Sequence, residues 1–359
     1  PCFSVSVSAQ SAVVLDARTN EILFESNAFE KRSMASTTKI MTAILAIESG
    51  RLEETVDVAA SMTKAEGTSI GLKPGYKLKL LDLLYGMMLE SGNDAANAVA
   101  LYLSGSFEAF AVLMNRKAAE IGMSNTNFVT PSGLDDEKHY STAYDMALLA
   151  SYCTKNPVFC SVCSDKNYVA ELIAPVSCRL YFSNHNRLLS SVDGVFGVKT
   201  GFTKKSGRCL VSAINKDGAV LVAVTLKAPD DWNDHKKLFS ACLKGYEKVN
   251  TDVSFPKQIP VESGEKSIVT VVSDKNSVDI AVKSCEKVEK TVSFPKFIYA
   301  PVKSGDVIGK IEYSISGKVI DTVYLTAGES VSQTAETYTP EKSFIKRLAE
   351  RLRSFFAFT

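Results

Sequence analysis

Three short motifs carry side chains that could do chemistry. Ser36-Thr37-Thr38-Lys39 sets a hydroxyl and an amine three residues apart, so on a helix both face one side and a neutral lysine can take the serine's proton. Ser91-Gly92-Asn93 adds a second hydroxyl able to relay a proton, and an amide that can donate and accept. Lys199-Thr200-Gly201 offers an amine and a hydroxyl suited to a carboxylate, with a glycine that leaves room for a ligand's backbone. The S-x-x-K spacing says little alone, because it occurs seven times, beginning at Ser36, Ser61, Ser254, Ser263, Ser284, Ser293 and Ser343. Ser36 stands apart because an apolar helical pattern follows it, and the only S-x-N and the only K-T-G lie downstream in that order. Each motif has a plain alternative: an N-cap serine with an exposed lysine, a turn between helices, and a solvated lysine on an edge strand.

The surrounding patterns supply elements to hold these residues. After Ser36, the positions Ile40, Met41, Ala43, Ile44, Leu45 and Ile47 recur at helical spacing as far as Ser49-Gly50. The same periodicity predicts helices over Leu80 to Leu89, Ala95 to Leu103, Phe107 to Ile121 and Ala143 to Cys153, so Ser91-Gly92-Asn93 joins two of them. Residues 12 to 25 read as a hairpin. From Val192 the texture turns to strand: Gly194 to Gly201, then Cys209 to Ile214 and Ala219 to Val224 joined by the turn Asn215-Lys216-Asp217-Gly218. A helix over Trp232 to Tyr246 would cover one face. The outcome is an α/β sandwich whose sheet takes strands from both ends of residues 1–249, with a helical lobe between.

Beyond Val249 short β-branched runs alternate with Gly, Ser, Asp and Lys clusters, which predicts a small all-β domain over residues 250–340. Within it Val253-Ser254-Phe255-Pro256-Lys257 recurs as Val292-Ser293-Phe294-Pro295-Lys296, an echo expected to mark two similar strand starts. Residues 341–359 return to helical spacing. Phe344, Ile345, Leu348, Leu352, Phe355 and Phe356 fall in one sector, opposite Lys346, Arg347, Glu350, Arg351 and Arg353. That terminal amphipathic helix is too short to span a bilayer and suits the surface of an anionic membrane.

Composition narrows the function classes. The 359 residues are 45% hydrophobic and 23% charged, with 41 basic against 40 acidic side chains, which excludes disorder and offers no broad basic face for nucleic acid. No apolar run reaches the roughly 18 residues of a spanning helix. Pro1 to Gln10, with Val7-Ser8-Ala9-Gln10, reads like the tail of a signal peptide, so export is expected. Eight cysteines include one local pair, Cys160 and Cys163, without a second pair or a nearby histidine, so a metal site is not expected. The three histidines, His139, His185 and His235, invite a Ser-His-Asp triad, but none sits in a nucleophile elbow and a lysine already stands one turn from Ser36. His185, shortly before the K-T-G, is given a structural role beside the cleft.

The ordered set S-x-x-K, S-x-N, K-T-G resembles that of β-lactamases and penicillin-binding proteins. Over nearly its whole length the chain is similar to the low-molecular-mass penicillin-binding proteins, specifically exported D-alanyl-D-alanine carboxypeptidases. The resemblance is carried further by Gly67-Thr68-Ser69, Leu72-Lys73-Pro74-Gly75, Asp82-Leu83-Leu84-Tyr85-Gly86 and Ser91-Gly92-Asn93-Asp94-Ala95-Ala96. Pro131-Ser132-Gly133-Leu134, the run His139 to Ala147, and Val192-Asp193-Gly194 extend it. It implies a penicillin-binding transpeptidase-like sandwich, a β-rich second domain and a surface-bound tail on the outer face of the cytoplasmic membrane. It also implies that Ser36 attacks the D-Ala-D-Ala carbonyl with Lys39 as base, and that Ser91 and Asn93 pass a proton to the leaving D-alanine and position the peptide. Lys199, Thr200 and Thr203 would hold the terminal carboxylate, with Gly201 leaving space. The backbone N–H groups of Ser36 and Phe202 would form the oxyanion hole. The partners implied are a peptidoglycan stem peptide and β-lactams, with no metal or organic cofactor. Two rivals are a β-lactamase, although no segment between Ser91 and Lys199 resembles its glutamate-bearing loop, and a non-catalytic wall-binding protein, which would not be expected to keep all five motif side chains.

Overall fold

The computed structural model describes residues 5–283 and 286–334. Cys2, Cys285, the first residues of the signal-like stretch and the terminal segment with its expected amphipathic helix lie outside the described residues. The chain divides into two compact units. The first comprises Pro1–Thr251, Ser277–Glu289 and Ser314–Ile320; the second comprises Asp252–Asn276, Lys290–Tyr313 and Asp321–Thr359.

In the first unit, β1 (Ser11–Asp16) and β2 (Glu21–Ser26) form the N-terminal hairpin, and a 3-10 turn at Ala35–Thr38 leads into α1 (Lys39–Glu48). Next come β3 (Thr55–Asp57), α2 (Ala60–Thr63) and β4 (Lys77–Lys79), then the helical lobe of α3 (Leu80–Leu89), α4 (Asn93–Ser104), α5 (Phe107–Ile121), α6 (Ala143–Cys153) and α7 (Pro157–Ser164). A short hairpin of β5 (Asn167–Leu172) and β6 (Cys178–Ser183) and the single turn α8 (Leu188–Ser191) precede β7 (Val195–Thr203), β8 (Gly207–Lys216) and β9 (Ala219–Leu226). The core of the unit ends with α9 (Asp231–Leu243) and β10 (Tyr246–Asp252).

The main sheet runs β2-β1-β9-β8-β7 with antiparallel neighbours, so the N-terminal strand sits beside the late strands as the pattern required. Its buried strands alternate between two cores, because successive side chains point to opposite faces. Val13, Leu15, Val211, Ala213, Val222 and Val224 join the core of the helical lobe. Val14, Leu210, Ile214, Leu221 and Ala223 pack instead with Leu238, Phe239 and Cys242 of α9. β7 is an edge of the sheet, which leaves one side of the K-T-G strand without a strand partner.

Two differences from the sequence reading have local causes. The helix expected to reach Tyr246 stops at Leu243, and Tyr246 opens β10, so the expected change of texture at 249 falls inside a strand. α7 was not read as a helix, yet Asn156 caps it by accepting from Val158 and Phe159 N–H, and Pro157 fills its first turn, where a missing donor costs nothing.

After β11 (Gln258–Glu262) and β12 (Ile268–Ser273) come β13 (Ser277–Lys283), β14 (Val288–Ser293), β15 (Ile298–Tyr299), β16 (Val307–Ile315) and β17 (Lys318–Ala327). Six of these form a sheet ordered β14-β16-β17-β12-β11-β15, with Ile259, Val269, Val271, Ile311, Tyr313, Val323 and Leu325 buried on it. The two Val-Ser-Phe-Pro-Lys copies lead into β11 and β15, which pair in parallel, Val261 with Ile298 and Glu262 with Tyr299. The echo therefore marks two neighbouring strand starts.

Candidate active site

Ser36 lies in the 3-10 turn that opens α1, and Lys39 begins the helix, fully buried. Its Nζ lies 3.0 Å from Ser36 Oγ, 2.6 Å from Asn93 Oδ1 and 2.8 Å from Ser132 O. Burial, and then the nearby positive charge of Lys199, hold the Lys39 amine well below its ordinary pKa. The geometry gives the neutral amine a direction. Asn93 Oδ1 and Ser132 O can only accept, so they take its two hydrogens, and the lone pair is left for the Ser36 hydroxyl.

Two loops hold this turn in place. His139 Nδ1 accepts from Val129 N–H at 2.9 Å and Thr130 N–H at 3.3 Å, while Nε2 lies 2.9 Å from Thr38 Oγ1. Burial drives the His139 pKa down to about 4, so the ring is neutral and Nε2 carries the hydrogen that Thr38 accepts. Thr42 Oγ1 donates to Pro131 O at 2.6 Å, which brings the Ser132 carbonyl over Lys39. Gly133 completes the fit: it has φ +85°, and a Cβ there would sit 1.9 Å from Ala35 O.

Ser91 sits between α3 and α4 in the left-handed region, φ 61°, and its side chain lines the same cleft as Ser36. Asn93 is the first residue of α4; its Oδ1 accepts from Lys39 and its Nδ2 donates to Glu66 O at 2.5 Å, so both ends of the amide are engaged by protein. Asp94 ties down the loop above by accepting from Ser69 Oγ, Ile70 N–H and Leu72 N–H. On the opposite wall β7 runs so close to the nucleophile's turn that a Cβ on Gly201 would lie 3.0 Å from Ser36 N and 3.1 Å from Thr37 N. Thr200, Gly201 and Phe202 line the cleft. Lys199 does not; it is buried, its Nζ donates to Thr200 O at 3.1 Å, and desolvation lowers its pKa to about 8. The Thr203 hydroxyl turns toward Asp135 Oδ1 and Ser206 Oγ.

Neither buried histidine is placed to act on Ser36. His235 is in the core between Ser212 and Thr225, with its pKa pushed down to about 3 by burial. His185 is half-exposed on the cleft wall, Nε2 3.4 Å from Glu90 Oε2. Cys160 and Cys163 lie on α7; the first donates to Thr154 O and the second is buried. The sequence reading gave no site role to seven residues that the fold brings there: Thr68, Arg187, Arg208, Asp231 and Trp232 line the cleft, Ser132 O accepts from Lys39, and His139 braces Thr38.

Two lysines of lowered pKa, one at a serine hydroxyl and one behind the cleft, are what comparison with known proteins then places in a family. Residues 3–230 match the D-alanyl-D-alanine carboxypeptidase family, and residues 246–333 match the C-terminal domain of penicillin-binding protein 5. The chain belongs to the D-alanyl-D-alanine carboxypeptidase family. The carboxypeptidase is 31% identical over 341 residues to DacF of Bacillus subtilis, covering 90% of this chain and 86% of that one. It is 34% identical over 350 residues to DacC of Escherichia coli, with 91% and 85% covered. The crystal structure of DacD from Francisella tularensis superposes with a TM-score of 0.64 at 29% identity, over 92% of this chain and 95% of that one. The carboxypeptidase is thus a serine-type, low-molecular-mass penicillin-binding protein that removes the terminal D-alanine from its peptide substrate, with a penicillin-recognising α/β core and a C-terminal all-β domain.

Proposed function

We propose that Ser36 is the nucleophile and Lys39 its general base. The observation that carries this reading is the Lys39 amine, 3.0 Å from Ser36 Oγ, with its other directions taken by Asn93 Oδ1 and Ser132 O. Ser36 Oγ attacks the carbonyl between the two D-alanines as Lys39 takes the hydroxyl proton, and an oxyanion forms. The N–H groups of Ser36 and Phe202 stabilise that oxyanion. The C–N bond then breaks, and the proton passes from Lys39 through Ser91 to the departing amine, with Asn93 keeping Lys39 in register. Water enters and attacks the ester carbonyl as Lys39 takes its proton; the acyl–Oγ bond then breaks, Lys39 returns the proton to Ser36 Oγ, and the shortened peptide leaves with its new carboxylate. Thr200, Gly201 and Phe202 flank the leaving D-alanine, Thr203 closes the end of that strand, and Lys199 contributes positive potential from behind the cleft.

Residues 1–249 carry this chemistry, residues 250–340 form an accessory β domain, and residues 341–359 hold the enzyme to the outer face of the cytoplasmic membrane, near its peptidoglycan substrate. The last role rests on the apolar sector from Phe344 to Phe356 facing a mostly basic one. Sedimentation with anionic liposomes tests it: the full chain should pellet and a chain ending at Pro340 should not, and equal behaviour of the two would remove the anchor. Incubation with a muramyl pentapeptide tests the activity, with free D-alanine expected and cross-linked product not. Cross-linking in place of release would make the chain a transpeptidase.

A further inference from the structure

A hairpin that packs one face on the protein is expected to turn polar side chains to water on the other. The inner face of the β5–β6 hairpin is ordinary: Ala170, Leu172 and Phe182 are buried, while Tyr168 stacks on Tyr85 and donates to Asp82 Oδ1 at 2.9 Å. The outer face breaks the rule. There Val169 stands directly opposite Tyr181, and the two are 50% and 71% exposed. A hydrogen-bonding pair flanks them on either side, Asn167 with Ser183 at the base of the hairpin and Glu171 with Arg179 toward its tip.

This face is fixed in place at both ends. Near the tip, Ile173 N–H donates to Lys77 O at 2.8 Å and Lys77 N–H donates to Ala174 O at 3.2 Å, so the turn is tied to β4. At the base, Ser183 N–H donates to Glu90 Oε1 at 2.6 Å, and the other Glu90 oxygen faces His185 on the wall of the cleft. Glu90 immediately precedes Ser91. One carboxylate therefore joins the outer face of the hairpin to the cleft. Tyr181, two residues before Ser183 on the same face, follows about 7 Å farther out at the rise of a strand.

The pattern selects among partners. A stable protein interface buries about 800 Å² on each side, and a membrane surface needs continuous apolar area; one Tyr–Val pair between polar pairs supplies neither. A sugar chain has the matching alternation. The C–H face of a pyranose ring packs on an aromatic ring, while its hydroxyl and N-acetyl groups exchange hydrogen bonds with groups beside that ring. Arg179 offers donors there, Glu171 acceptors, and Asn167 both. We propose that the outer face of the β5–β6 hairpin, centred on Tyr181 and Val169, is a subsite for the sugar strand of polymeric peptidoglycan, next to the cleft that trims its stem peptides. The subsite serves the same reaction and rests on the reading of the Ser36 cleft as the place where the stem is cut.

The test measures D-alanine release by the full-length enzyme from purified sacculi that keep pentapeptide stems and from a soluble, sugar-free pentapeptide. Tyr181→Ser should lower kcat/KM on sacculi by about 3- to 10-fold, the size of one aromatic contact, and leave it within about twofold on the peptide. Tyr181→Trp should keep the activity on sacculi, and Tyr324→Ser, at another exposed tyrosine, should behave as wild type. Peptide-free glycan chains should compete with sacculi for wild type and not for Tyr181→Ser. Unchanged turnover of sacculi in Tyr181→Ser, an equal loss on both substrates, or the same loss in Tyr324→Ser would overturn the subsite. Turnover of sacculi that is unchanged while liposome sedimentation is lost, or while the oligomeric mass changes, would give the face to a membrane or to a second copy instead. Ser36→Ala keeps the two readings apart. Release of D-alanine that survives in it would overturn the cleft reading, whereas abolished release together with unchanged sacculus turnover in Tyr181→Ser would overturn only the sugar subsite.

Discussion

Replacing Lys39 by methionine separates what this side chain does chemically from what it does structurally. Methionine keeps an unbranched chain of similar length and has neither charge nor donors. In the native site Nζ satisfies Asn93 Oδ1 at 2.6 Å and Ser132 O at 2.8 Å, so the substitution leaves two buried acceptors unpaired, each costing about 1–3 kcal/mol. In the other direction, a fully buried lysine gives up its hydration, the cause of its lowered pKa, and an apolar side chain is free of that penalty. The two effects oppose each other, so the net loss of stability should stay below about 3 kcal/mol, the range of ordinary point mutants. The chemical loss has no such offset: without a base, acylation should slow by about 10²- to 10⁴-fold. Stopped-flow acylation by a fluorescent penicillin reads the rate, and thermal unfolding of the same sample reads the fold. A folded Lys39→Met enzyme acylated within about tenfold of wild type would refute the assignment of Lys39 as the base.

The pH profile of acylation should fall on its alkaline side as Lys199 loses its proton near pH 8, since the charged form exists below that pKa and is lost above it. Lys199→Arg should move the falling limb to higher pH, because a guanidinium stays charged, and a limb that stays in place would point to another group. Gly133→Ala should abolish acylation, because a Cβ at 1.9 Å from Ala35 O forces the nucleophile's turn to move, in addition to about 1–3 kcal/mol for a non-glycine side chain at φ +85°. Gly50→Ala, at φ +70° with open space around it, should cost only the backbone strain and leave acylation intact, as read by the same two assays.

Much of the fold can be read from local pattern alone. Leu80–Leu89, Phe107–Ile121 and Ala143–Cys153 are helices over the residues that their apolar spacing marks: the second buries one stripe, Phe110, Met114 and Ala118, while the first and third are buried nearly all round. The β7–β8–β9 meander is equally visible, since the middle of β8 and nearly all of β9 are apolar on both faces and a polar turn joins them. α7 could have been found from Asn156-Pro157, a cap signal weaker than periodicity in a helix of only 8 residues.

Within the site, the motif residues announced themselves by type and order, and their supports did not. Ser132 acts through a backbone carbonyl, which any residue would supply, so its side chain carries no sign of the role. His139 reads as an isolated histidine until the fold sets it against Thr38, 101 positions earlier. Arg208 and Asp231 lie 23 positions apart, a separation that corresponds to no helical or strand repeat, and only the packing of α9 beside β8 brings them together. Thr203 and Asn93 show the converse: the family resemblance implies a role toward ligand for both, while the fold also engages Thr203 with Asp135 and Ser206, and Asn93 with Lys39 and Glu66.

The central claim is that Ser36 becomes acylated, and fragment mass spectrometry of the penicillin-treated enzyme addresses it most directly. Trypsin cuts after Arg32 and Lys39 and so releases Ser33-Met34-Ala35-Ser36-Thr37-Thr38-Lys39, a peptide with four hydroxyl side chains that sequential fragmentation can tell apart. The adduct should reside on Ser36 and disappear, with D-alanine release, in Ser36→Ala. An adduct on Ser33, Thr37, Thr38 or Ser91, or one that survives in Ser36→Ala, would contradict the account.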